Sequence, residues 1–330
     1  MPHYRLHQGQ KDFQGRHQRA CKPAHSGGMV RDNGAAHDCA GRADHTQAGR
    51  TFWRAPEGND HWVPQMGIGD DLMWLAHARA EYQRTGRPVR PTHNGSTHAF
   101  GRRLWLREAY QNVPYIDADR GVNLEEKPNG KRPYQYDPNY RPQPAEIVLS
   151  ETETQWVRDH MPRGPWVIIN PDAKHMGIHH NNKHWHAPYW QELALLLSLQ
   201  GIVTVRLKPK ERQDTFYPAV NIVTDSIRKV MAVIKHAAWV ITTDGAQHHI
   251  AAAWATPCTV IWGTCTSPYA TATRGALGYE GQKNLIANHP LTPCYTEKRE
   301  CDHCAQLKQS ITPQQVIDTL DIPKIKRHEW

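Results

Sequence analysis

Aliphatic side chains are nearly missing from the first sixty residues, where Leu6 and Val30 are the only Leu, Ile or Val. So little apolar surface cannot offset the entropy of ordering the backbone. Residues 1–60, rich in Gly, His, Arg and Gln, are therefore expected to be a disordered extension or a mis-assigned start. No apolar run approaches the ~18 residues of a membrane span, and no signal-like stretch opens the chain. A cytoplasmic, reducing setting is the resulting expectation. Seven cysteines in 330 residues, an odd number in a long chain, exclude a small disulfide scaffold. There is no internal repeat, no Walker loop and no clean dinucleotide glycine fingerprint after a strand, which removes the commonest nucleotide-binding loops.

What is present is positive charge, +8 formally with 22 histidines besides. That balance favours anionic partners: nucleotides, phosphorylated substrates, nucleic acid or an acidic membrane face. From about Trp62 the composition becomes globular. "GIGDDLMWLAHARAEYQRTG" predicts a glycine turn and a helix from about Asp70 to Arg84, with Leu72, Leu75, Ala76 and Ala80 as its inward stripe. Residues 120–146, rich in Pro, Asn, Tyr and charge, read as a long loop or interdomain connection. Beyond it, short apolar runs at 166–170, 201–207, 239–243 and 258–263 predict strands. Helical patterns at 187–200, 226–237, 245–255 and 312–320 alternate with them. This alternation predicts an α/β fold with a parallel sheet covered on both faces, which binds ligands at the carboxyl ends of its strands.

Four stretches carry chemistry. In "GIGDD" (67–71) glycines allow a tight turn and an acidic residue starts a helix. Asp70 suits either a helix cap or a general base towards a hydroxyl. In "NPDAKHMGIHHNNKHW" (170–185) a strand runs into a polar loop in which Lys174 and Lys183 are candidates for phosphate. Its histidines, among them His175, His179, His180, His184 and His186, lack the Cys or carboxylate partners of a metal site. "TTDGAQHHIAAAWA" (242–255) brings hydroxyls, a carboxylate and the free amides of a helix start to one corner, which suits a phosphate beside a sugar. Thr243, Asp244, Gly245, Ala246 and His249 are its candidate residues. For His248 and His249 helix packing and binding are both open. Cys294, Cys301, His303 and Cys304 approximate a zinc knuckle, but a second CxxC pair is missing.

In this order, "GIGD", "NPDAKHMGIHHNNKHW" and "TDGAQHHIAAAWATPCTVIWG" resemble the motifs of family 9 glycosyltransferases, the ADP-heptose:lipopolysaccharide heptosyltransferase type. The resemblance covers about residues 62–322. It implies a GT-B fold, two Rossmann-like domains facing across a cleft, here at 61–150 on the acceptor side and 151–330 for the nucleotide sugar. It also implies inversion at the anomeric centre, no metal and no cofactor beyond the nucleotide-diphospho-sugar co-substrate. By position, Asp70 matches the catalytic base, Lys183 the lysine facing the departing diphosphate, Asp244 and the following amides the donor corner, and His249 the motif histidine. Two positions depart. Gly245 stands where the family has Ser or Thr, which removes a hydroxyl, and Ala246 where it has Gly. "HWVPQ" (61–65) is a poor substitute for the family's apolar first strand.

The leading expectation is thus an inverting, metal-independent glycosyltransferase acting on a glycan or lipid-linked glycan such as a lipopolysaccharide core, with peripheral contact to an acidic membrane face. The alternatives are a non-catalytic sugar-nucleotide or nucleic-acid binding protein of the same fold, a glycosyltransferase acting on modified nucleic acid, and a zinc-dependent protein.

Overall fold

The computed structural model describes residues 68–90, 110–117, 120–123, 133–171, 183–208, 215–263, 266–287, 289–290, 292–294, 307 and 309–329. The expected extension, Lys174, His175, His179, His180, Cys301, His303 and Cys304 lie outside them. In chain order the elements are α1 (Ile68–Thr85), β1 (Val89–Arg90), β2 (Val122–Asn123), α2 (Glu151–His160), β3 (Trp166–Asn170), α3 (Ala187–Leu199), β4 (Val203–Lys208) and β5 (Val220–Val223). There follow α4 (Ile227–His236), β6 (Trp239–Thr243), α5 (Ala246–Ala253), β7 (Cys258–Trp262), β8 (Lys283–Ile286), α6 (Pro313–Ile317) and α7 (Ile322–Lys326).

Six strands form one sheet in the order β5-β4-β3-β6-β7-β8, and every neighbouring pair is parallel. The chain winds outwards from β3 to β5, then returns to β6 and winds the other way. The order therefore reverses between β3 and β6, where a doubly wound sheet opens its ligand crevice. Both faces of the central strands are buried, which is why "WVIIN" and "WVITT" are continuous apolar runs and do not alternate. Trp166, Ile168 and Val240 point to one side, with Leu72 and Leu75 of α1, Val157 of α2, Ile234 of α4 and Ile250 of α5. Val167, Ile169 and Ile241 point to the other, beneath Leu193 and Leu197 of α3 and Val316 of α6.

Local chemistry sets the ends of these helices. Ser150 and Glu153 make a reciprocal capping box at the start of α2. Glu153 also receives Arg228 of α4 through two bonds of 2.7 Å, an ion pair that ties the two helices together. Trp185 leads into α3 and packs edge-on against Trp190, with ring centroids 4.9 Å apart. Its indole N–H donates to the Ile311 carbonyl at 2.8 Å. Trp185 is thus a core residue joining α3 to the segment before α6.

Before residue 150 the described chain contains α1, a two-stranded parallel ladder of β1 and β2, and irregular backbone with a 3-10 turn at Pro133–Gln135. The inward stripe of α1 differs from the expected one. Leu72, Leu75 and Ala78 are fully buried, with Ile68 and Tyr82 packed beside them, whereas Ala80 is exposed and Ala76 only partly covered. The 3.6-residue period carries the stripe from Leu75 to Ala78 and Tyr82, two positions on from Ala76 and Ala80 respectively. Residues 62–330 form one compact unit. Among the described residues no helix is long and apolar enough to cross a membrane.

Candidate functional site

The carboxyl ends of β3 and β6 are held in register, with Asn170 opposite Thr242. The Asn170 side-chain amide donates to Thr242 Oγ1 at 3.1 Å, and that hydroxyl donates to the Thr243 carbonyl at 3.0 Å. These bonds close the bottom of the crevice. Thr243 ends β6 with its hydroxyl buried, and among the described residues Oγ1 has no hydrogen-bond partner. Gly245 then takes the N-cap position of α5 in extended backbone, with no side chain capping the first turn. The orphan amides of α5 consequently face the corner without a competitor from their own cap.

Asp244 is the centre of this corner and is 5% exposed. The Lys183 ammonium lies 2.8 Å from Oδ2, Thr266 Oγ1 donates to the same oxygen at 2.7 Å, and His248 Nε2 is 3.5 Å from Oδ1. Burial by itself raises the carboxyl, but the Lys183 charge and His248 outweigh it and hold Asp244 well below the usual carboxylate range. Lys183 comes from the segment entering α3 and is itself partly covered. The stretches 170–185 and 242–255 thus meet in one ion pair between residues 61 positions apart, Lys183 and Asp244.

His249 projects from the first turn of α5 and is 4% exposed. Its Nδ1 lies 2.8 Å from the Tyr279 hydroxyl. Its other edge meets α1: a methyl group built on Gly69 would lie 2.6 Å from Cδ2 and 2.8 Å from Nε2. The glycine beside Asp70 is therefore required by the His249 ring, and this contact brings "GIGD" to the donor corner. His249 is held well below its ordinary range, first by burial and then by the neighbouring His248; Asp244 pulls the other way and Lys183 adds the smallest push down. Asp70 is half-buried at the start of α1. It lies near Tyr140, whose phenol is pushed above its ordinary range by burial and then by the Asp70 charge.

Asp70, Lys183, Thr243, Asp244, Gly245, Ala246 and His249 are thus gathered by the ends of α1, β6 and α5 and by the segment before α3. Lys174 lies outside the described residues. His186 takes the N-cap of α3 and packs edge-on to Tyr189 at 4.8 Å. His248, left open between packing and binding, is fully buried, its ring tilted against His249 at 3.8 Å and edge-on to Trp262 at 5.4 Å. Three contributors escape local sequence reasoning: Thr266 and Tyr279, from the β7–β8 connection, and Tyr140. Their loops have no periodicity; only the tertiary fold brings Thr266 and Tyr279 to the start of α5 and Tyr140 to α1.

Asp244, His248 and His249 each offer a ligand atom within 4.8 Å of the others. The donor types suit Zn2+ or Fe2+. The Lys183 ammonium on the same carboxylate already supplies the neutralising charge that a cation would bring. Of the late cysteine cluster, Cys294 lies within the described residues and is partly covered.

The sequence profile of glycosyltransferase family 9 (heptosyltransferase) matches residues 131–304, more than half of the chain. The chain belongs to glycosyltransferase family 9. The profile covers Lys183 and the whole β6–α5 corner, and stops short of Asp70 on the N-terminal side. No curated protein is detectably similar to the chain. Among solved structures, the iron-containing dodecameric glycosyltransferase TibC from enterotoxigenic E. coli shares its fold at a TM-score of 0.53 and 14% identity, over 80% of this chain and 74% of that one. E. coli ADP-heptose lps heptosyltransferase II matches at a TM-score of 0.41 and 18% identity, over 58% of this chain and 56% of its own. A family 9 glycosyltransferase from Veillonella parvula matches at a TM-score of 0.39 and 15% identity, over 53% and 52%. The chain thus spans little more than half the length of several structures it matches.

Proposed function

We propose that this family 9 chain is an inverting glycosyltransferase that moves a sugar from a nucleotide-diphospho-sugar to a hydroxyl of a glycan, of the lipopolysaccharide-core type. One observation carries the reading: a buried Lys183–Asp244 pair, an uncapped helix start and His249 converge where Asp70 of α1 arrives. Transfer with inversion needs a base on the attacking hydroxyl and charge stabilisation on the departing diphosphate, on opposite sides of the anomeric carbon. Asp70 takes the first role. Lys183 and the first-turn amides of α5 take the second, with Asp244 fixing the direction of the ammonium. Stabilisation by a lysine and amides makes the chemistry metal-independent. TibC has been solved with ADP-D-β-D-heptose and E. coli heptosyltransferase WaaC with ADP-2-deoxy-2-fluoro heptose, which makes ADP-heptose the first donor to try. A cytoplasmic setting and peripheral contact with an acidic membrane face accompany the proposal, supported by the net charge of +8.

The Asp70→Ala variant tests it. Loss of a positioned base costs roughly 10²–10⁴-fold in rate, so transfer from ADP-heptose should collapse while ADP binding persists. Unchanged turnover removes Asp70 from its role. The second reading, a non-catalytic sugar-nucleotide binding protein, is favoured by the hydroxyl missing at Gly245. Donor binding without turnover on any glycan acceptor would establish it.

A further inference from the structure

The partner of His249 is neither a carboxylate nor a backbone carbonyl but a phenol, and that choice has a consequence. Tyr279 is clamped to α5 through its own loop. Its backbone N–H donates to Gln282 Oε1 at 3.2 Å, and Gln282 Nε2 donates to the His248 carbonyl at 2.8 Å. Gly278 presses against Pro268, where a Cβ would come within 2.7 Å. The ring is boxed in: the His248 ring lies tilted against it at 3.8 Å, Tyr279 stands edge-on at 5.5 Å, and Gly69 packs against the Cδ2–Nε2 edge. A ring flipped by 180° would put Cδ2 on the hydroxyl and forfeit the bond.

We propose that Tyr279 is a positioning residue that locks His249 in the Nε2–H tautomer, so that the corner presents one fixed N–H donor beside the start of α1. The hydroxyl makes a single hydrogen bond among the described residues, the one to Nδ1. Had Nδ1 carried the proton, Tyr279 would accept, and its own buried proton would lack an acceptor. With the phenol donating, both protons are accounted for, and Nε2–H remains for an oxygen of a ligand. Burial favours this arrangement from both sides, raising the Tyr279 phenol and lowering the His249 imidazole. What the N–H meets, a phosphate or sugar oxygen of the donor, rests on the function proposed above; the tautomer does not.

Long-range 1H–15N correlation spectra of the full chain labelled with 15N-histidine decide the point, with His249 assigned by its loss in His249→Gln. His249 should show an unprotonated Nδ1 and a protonated Nε2, in excess of about tenfold over the other form. Tyr279→Phe keeps the ring and removes the hydroxyl. It should return His249 to a mixture and weaken ADP and inorganic diphosphate by roughly three- to tenfold. In a His249→Gln background the same substitution should leave both affinities unchanged. A wild-type spectrum with Nδ1 protonated or mixed overturns the proposal whether or not any variant folds, as does an unaltered tautomer in Tyr279→Phe. Failure of the wild type to bind either probe, with the tautomer as stated, overturns the donor-site reading instead.

Discussion

Gly69→Ala probes the contact that joins α1 to the donor corner. The added methyl would sit 2.6 Å from His249 Cδ2, about 0.8 Å short of the 3.4 Å at which ordinary contact begins. His249 has little room to retreat, held by Tyr279 at 2.8 Å and packed against His248, which itself abuts Trp262. The helix must give way, and it carries Asp70 with it. Overpacking of this kind costs about 1–3 kcal/mol. Alanine returns part of that as helix propensity, at most about 1 kcal/mol and less in a first turn. A net loss of about 1–2 kcal/mol corresponds to a fall in Tm of roughly 2–8 °C for a unit of this size. Activity should suffer more, since misplacing a reacting group by about 1 Å can cost ~10²-fold. Gly245→Ala is the control: its nearest new neighbour would be the Thr243 carbonyl at 3.9 Å, and its backbone is extended. Urea denaturation, thermal scans and transfer from ADP-heptose, run on both variants, provide the measurement. If Gly69→Ala melted and turned over like wild type, the packing argument would be refuted.

Lys183→Met leaves Asp244 buried beside an apolar chain. Breaking one side of a buried pair costs about 3–5 kcal/mol, and the partial exposure of Lys183 places this case at about 3. Urea unfolding should register the loss, and Asp244→Asn in the same background should restore most of it. Acid should destabilise the fold in two stages. Folded His249 and His236 are held below their ordinary value of 6.5, both primarily by burial, so unfolding takes up protons there. Stability therefore falls as pH drops below about 6.5, at up to ~1.4 kcal/mol per pH unit for His249. Asp244 is held below 3.8, so the contribution of its ion pair is lost as pH falls from there towards its folded value. Thermal melts across the acid range measure both stages, and a Tm independent of pH between 7 and 5 would contradict the burial of His249.

Strands and helices with strong patterns were readable almost to the residue. "WVITT" lies on β6, and "APYWQELALLLSL" forms α3 between a proline near its start and Gly201 after its end. Elements without such patterns were not. The strand β5, "VNIV", is an edge strand with no fully buried position, so its sequence lacks the buried-strand signature. The helix α2, "ETETQWVRDH", buries Val157 alone and owes its start to the Ser150–Glu153 box. The strand β8 is half-exposed on the opposite edge.

By itself the sequence determined the α/β class, the family and the residue types offered at each strand end, because these depend on short-range period and local motif. Tertiary structure decided which of those residues meet. The strand order puts the β3–β6 switch at Asn170 and Asp244, and closure of the sheet delivers Thr266 and Tyr279 to a corner that no local pattern connects to them. The role of Gly69 belongs to the same class. In the sequence it is a turn residue before an acid; in the structure it is the space that the His249 ring occupies, because two helices approach there more closely than a Cβ permits.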